Sequence, residues 1–81
     1  MTADVERALV DLVAQTFAIP RAEVDLDRPI EDAPDSLAMS ILVVGIENHF
    51  DIAFADRDIG RIRVFRDLVG MIEGKLGRGA R

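Results

Sequence analysis

The chain has 81 residues, 49% of them hydrophobic, with no cysteine, tryptophan or tyrosine. That length fits one small domain, and the missing cysteines exclude disulfides, thiolate zinc sites and a cysteine nucleophile. The net charge of −5 is unevenly spread: residues 23–58 hold ten acids against Arg28 and Arg57, whereas residues 60–81 hold six bases against Asp67 and Glu73. An acidic middle repels phosphate backbones and attracts basic protein surfaces, which argues against nucleic acid as a partner.

From Ala3 to Ala18, Val5, Leu9, Leu12, Val13 and Phe17 recur at helical spacing with Glu6, Arg7, Asp11 and Gln15 between them. The pattern predicts an amphipathic helix over 3–18, capped by Thr2 and stopped by Pro20. Residues 20–35 carry Pro20, Pro29 and Pro34 and six acids around Val24, Leu26 and Ile30. This reads as a long loop pinned to the core by its apolar residues.

A second helix is predicted over 36–50, because Asp35 is a good N-cap and Pro34 does not sit deep in a helix. Its apolar residues form two stripes, Leu42, Ile46 and Phe50 flanked by Val43, and Leu37, Ile41 and Val44. One core does not bury both, so this helix is either central or leaves an apolar strip exposed. A short helical turn comes next near 56–61, then a last helix over 64–76 with Phe65, Leu68, Val69 and Ile72 inward.

The expected architecture is all-α, an antiparallel four-helix bundle with three longer helices at 3–18, 36–50 and 64–76 and one short helix at 56–61. A domain over 1–76 is followed by a flexible basic tail over 77–81. The longest apolar run, Ile41 to Val44, is too short to span a bilayer. Met1-Thr2-Ala3-Asp4 has no basic start or apolar stretch of a signal peptide. A cytoplasmic monomer away from membranes is therefore expected.

Ser36 and the single His49 do not make a hydrolytic pair. In one helix they stand about 20 Å apart, at about 1.5 Å per residue. His49 reads as a helix-surface residue. Asp25, Asp27 and Glu31 have neither the glycine nor the ligand spacing of a calcium loop. With no positioned base, metal cluster or phosphate-cradling glycine loop, the chain does not read as an enzyme.

The motif Asp35-Ser36-Leu37 opens the second helix after an acidic loop, that helix runs into Glu47-Asn48-His49-Phe50-Asp51-Ile52, and Asp67-Leu68-Val69 lies in the last helix. In these features, and over nearly its whole length, the chain resembles the acyl carrier protein family. The resemblance implies that Ser36, flanked by Asp35 and Leu37, is the attachment point of a 4′-phosphopantetheine arm. A phosphopantetheinyl transferase would donate it from coenzyme A, and its thiol would hold acyl groups as thioesters. Independently, a serine in the first turn of a helix is suited to a phosphodiester, because free backbone N–H groups and the helix dipole favour negative charge there.

The resemblance further implies that Asp35, Leu37, Ala38, Ile41, Val44, Glu47 and Asn48 meet acyl-loading, condensing or acyltransferase enzymes. It also implies that an acyl chain lies between the second and third helices, with Leu42, Ile46, Phe50, Phe54 and Ile59 as lining. The chain departs from the family where Ala33 replaces a glycine, where Ala38, Ile41 and Asn48 replace frequent acids, and at Ala53, Ala55 and Val64. Loss of those acids shifts recognition from charge steering toward apolar contact. A specialised fatty-acid, polyketide or secondary-metabolite carrier is expected. Alternatives are a peptidyl or aminoacyl carrier and an unmodified helical interaction module.

Overall fold

The computed structural model describes residues 2–30 and 36–77. Asp35, with residues 31–34, and residues 78–81 of the expected tail lie outside the described residues. Four α-helices form the fold: α1 (Thr2–Phe17), α2 (Ser36–Phe50), α3 (Asp56–Ile59) and α4 (Arg66–Lys75). α1 starts one residue before the predicted bound, so Thr2 is its first helical residue and not a cap ahead of it. α4 is shorter than predicted at its start, because Val64 is held by an isolated antiparallel bridge to Pro29.

α1 is the hub, packing on both α2 and α4. Its buried face is Val5, Leu9, Val13 and Ala14, the spacing of one helical stripe. Opposite it lie Leu42 and Ile46 of α2 and Phe65, Leu68, Val69 and Ile72, the four residues expected inward from the last helix. Each fully buried Leu or Ile stabilises the fold by roughly 1.5–3 kcal/mol relative to exposure. Phe17 adds an edge-on contact to Phe65, with ring centroids 5.9 Å apart.

The stretch after α1 is more ordered than a plain loop. Residues Arg21–Glu23 form a 3-10 turn, started by Pro20, whose ring fixes a suitable backbone angle. Leu26 is buried, with Val24 and Ile30 packed against the core. The stretch is stitched to the α3–α4 connector by Ile30 N–H to the Arg63 carbonyl (2.8 Å) and Arg66 N–H to the Leu26 carbonyl (2.7 Å). The Arg66 side chain donates from Nε to Asp27 (2.8 Å) and pairs with Glu6 of α1 at 3.3 Å, so one guanidinium joins three segments.

α1 and α2 end alike. Ala18 (φ 56°) and Asp51 (φ 57°) adopt the left-handed conformation, and the next residues, Ile19 and Ile52, donate back to the Ala14 and Glu47 carbonyls. This is the six-to-one closure of a Schellman motif. Alanine strains there, because its Cβ crowds the carbonyl by roughly 1–2 kcal/mol. Ala18 is exposed, so Ala18→Gly removes that strain without opening the core. We expect it to raise unfolding stability by about 0.5–1 kcal/mol in urea titration, while Ala18→Val lowers it.

Among the described residues, three carboxyls titrate below their ordinary value of 3.8. Asp27 does so through the Arg66 hydrogen bond, Asp58 through the Ala55 N–H and then Lys75, and Asp67 through the Arg63 and Val64 N–H groups. Each binds its proton less tightly folded than unfolded. Its stabilisation is complete above the ordinary carboxylate range and is lost as pH falls through 3.8 toward the lower folded values. The urea midpoint should therefore be level between about pH 7 and pH 5 and fall below about pH 4. Asp67→Asn should flatten that acid limb.

Candidate functional site

Ser36 is the first residue of α2, a 15-residue helix, so it stands at the positive end of that helix's dipole. From Ser36 to Ile46 the helix carries no charged residue. At about 100° per residue from Leu42, Ile46 lies within about 40°, Met39 and Val43 about 60–100° round, and Leu37, Ile41 and Val44 about 200–260° round. Those three sectors have three fates.

Leu42 and Ile46 are fully buried under α1 and α4. Leu37, Ile41 and Val44 stand at 65%, 55% and 53% exposure, an apolar strip that begins next to Ser36. Between the two sectors, Met39, Ser40, Val43 and Val44 line one side of an open groove of about 450 Å³ whose other side is Ile59 of α3.

Of the five residues expected along an acyl chain, Ile59 lines this groove, while Leu42 and Ile46 belong to the closed core and Phe50 and Phe54 are half-buried against it. Met39 and Val43, spaced i, i+4 on the sector beside the core stripe, line the groove from α2.

Among the residues expected to meet partners, Leu37, Ile41, Val44 and Asn48 are exposed and Ala38 is half-buried. Glu47 is also half-buried, and its Oε2 accepts the Phe54 N–H at 2.8 Å, which shapes the turn from α2 to α3. His49 is exposed and rests edge-on against Phe50, with ring centroids 4.7 Å apart, as its helix-surface reading requires.

α3 buries no residue. It is held by polar contacts: Asp58 Oδ2 accepts the Ala55 N–H (2.8 Å) and the Lys75 ammonium (3.0 Å). Lys75 also lies 5.4 Å from the Phe54 ring centroid. A separate depression of about 530 Å³ over Pro29, Ile30, Gly60, Ile62, Arg63 and Val64 shares no residue with α2. Among the described residues, no group of three His, Asp or Glu is placed to hold a metal, and no helix is long and apolar enough to cross a membrane.

These features fit a covalent arm. Residue 36 stands at the N-terminal end of α2, where the helix dipole favours negative charge, and a groove with apolar side chains begins one turn along the same helix. The family model for the phosphopantetheine attachment site matches residues 7–72, a span that contains α2, α3 and most of α4. The chain is also 31% identical over 80 residues to the actinorhodin polyketide synthase acyl carrier protein of Streptomyces coelicolor, covering 98% of this chain and 93% of that protein. Family members are modified by a phosphopantetheinyl transferase, work with synthase enzymes and are not themselves catalysts. On these grounds the chain belongs to the acyl carrier protein family, as a helical carrier whose working group is a covalently attached 4′-phosphopantetheine.

Proposed function

We propose that Ser36 bears the arm, and that the chain carries acyl intermediates of a polyketide or related secondary-metabolite pathway to its partner enzymes. The observation that carries this reading is the coincidence of Asp35-Ser36-Leu37 with the start of α2 inside the matched family span. The polyketide assignment rests on the named relative. When attached, the arm supplies the thiol that this cysteine-free chain does not have, and acyl groups ride on it as thioesters. The chain's own part is to hold a phosphodiester at the α2 N-terminus, to present Leu37, Ile41 and Val44, and to offer Met39, Val43 and Ile59 to apolar cargo.

Partners of such a surface are recognised by apolar contact more than by charge. Between Ser36 and Ile46 α2 offers no carboxylate, and Glu47 spends one oxygen on the Phe54 amide. The partner face opposite Leu37, Ile41 and Val44 is therefore apolar at its centre.

Three measurements test these readings. Incubation with coenzyme A and a broad-specificity phosphopantetheinyl transferase should add one phosphopantetheine by intact mass, and Ser36→Ala should abolish the gain. No gain, or a gain that survives Ser36→Ala, overturns the assignment of Ser36. Because Ile41 is exposed, Ile41→Glu should leave the thermal midpoint within error yet raise KM for the transferase by roughly tenfold, the loss of one apolar anchor. Wild-type modification rates should change less than about threefold between low and physiological salt. An unchanged KM in Ile41→Glu sinks the apolar docking strip.

A further inference from the structure

The groove between α2 and α3 has unequal walls. Met39 and Val43 lie on a helix whose neighbouring stripe, Leu42 and Ile46, is sealed in the core. Ile59 lies on a four-residue helix that buries nothing and packs on no other helix to a comparable extent. A single turn has no cooperative stability of its own, so α3 stays where its attachments hold it.

Those attachments converge on one carboxylate and one ammonium. Asp58 turns its Oδ2 inward to accept both the Ala55 N–H and the Lys75 ammonium, closing α3 on itself and tying it to the last residue of α4. The pair is better shielded than other ion pairs of the described residues, with side chains 19% and 28% exposed. The Lys75 ammonium also lies over the Phe54 ring, and the Phe54 N–H is held by Glu47 of α2. A continuous chain of contacts thus runs from α2 through Glu47 and Phe54 to Lys75, and through Asp58 to the helix that carries Ile59.

We propose that Asp58 and Lys75 form a latch that fixes α3 against the end of α4, sets the width of the α2–α3 groove, and so determines how firmly a carried acyl chain is sheltered. The part concerning cargo rests on the carrier reading above; the part concerning α3 does not. Asp58 and Lys75 are positioning residues, acting on cargo through Ile59. The latch is electrostatic and partly shielded, while the α1, α2 and α4 core is held by apolar burial. Breaking it frees α3 and leaves the α1, α2 and α4 core in place.

The test uses Asp58→Asn, whose amide oxygen still accepts the Ala55 N–H but carries no charge, and Lys75→Met, which keeps the apolar stem over Phe54. Amide hydrogen exchange is measured on the unmodified full-length chain. The Ile59 and Gly60 amides, which donate to the Ala55 and Asp56 carbonyls, should exchange about three- to tenfold faster in both variants. The double variant should add little to either single one. Leu42, Ile46 and Leu68 amides should keep wild-type protection, which separates loss of the latch from global destabilisation. Unchanged exchange at Ile59 and Gly60 in both variants overturns the latch, and this result stands whether or not Ser36 accepts an arm.

In chain modified at Ser36 and loaded with an octanoyl thioester, hydroxylamine should cleave the thioester about two- to fivefold faster in both variants than in wild type. Acetyl-loaded forms should not differ, because an acetyl group does not reach the groove. Faster exchange with unaltered octanoyl cleavage would overturn the link from latch to cargo. Absence of modification at Ser36 would instead remove the carrier reading and leave the exchange result to decide the latch.

Discussion

The structure depends on the fact that α2 carries two apolar stripes while the core closes over only one of them. A helix with a single apolar stripe would be fully used up by packing. Here Leu42 and Ile46 face α1 and α4, and the other roles of α2 come from the sectors which that choice leaves over. The opposite sector, Leu37, Ile41 and Val44, stands 65%, 55% and 53% exposed. Three large apolar side chains in line are costly to leave in water in a small domain, and such a patch marks a contact surface. The strip starts at the residue next to Ser36.

The same economy explains the segment before α2. A small domain without disulfides has few means to hold a long proline-containing stretch. It uses Leu26 as an apolar plug, two backbone hydrogen bonds around the Pro29–Val64 bridge, and Arg66 as a shared cation for Asp27 and Glu6. Asp27 and Glu6 in turn hold the Arg66 guanidinium charged even more firmly than usual, chiefly through the Asp27 hydrogen bond. Asp67 caps the connector from the other side by accepting the Arg63 and Val64 N–H groups. The acidic and basic halves of the sequence meet at these points, so part of the charge asymmetry is structural.

The helices were legible because their signals are local. The stripe of Val5, Leu9 and Val13, and the inward set Phe65, Leu68, Val69 and Ile72, come from periodicity alone. The two competing stripes of α2 were legible as well, but not which one the core would take, since that depends on the faces α1 and α4 present. Leu42 and Ile46 belong to the stripe that the core seals. Met39 and Val43, about 60–100° round, stay at the boundary and line the groove. Contacts that join distant segments, such as Lys75 with Asp58 and Arg66 with Asp27, have no periodic signature, so sequence spacing did not reveal them.

A carrier must satisfy two opposed demands, since it has to be rigid enough to be recognised and yielding enough to take up and release cargo. The distribution of forces over this chain separates them. Apolar burial, which is nondirectional and strong, fixes α1, α2 and α4 and with them the strip and Ser36. Hydrogen bonds and one shielded ion pair, individually weak and reversible, hold α3. If Ile59 were itself a core residue, the groove could widen only by disturbing the packing that stabilises the whole domain. Because α3 buries nothing, the α3 wall of the groove and the exposed strip of α2 do not share a source of stability.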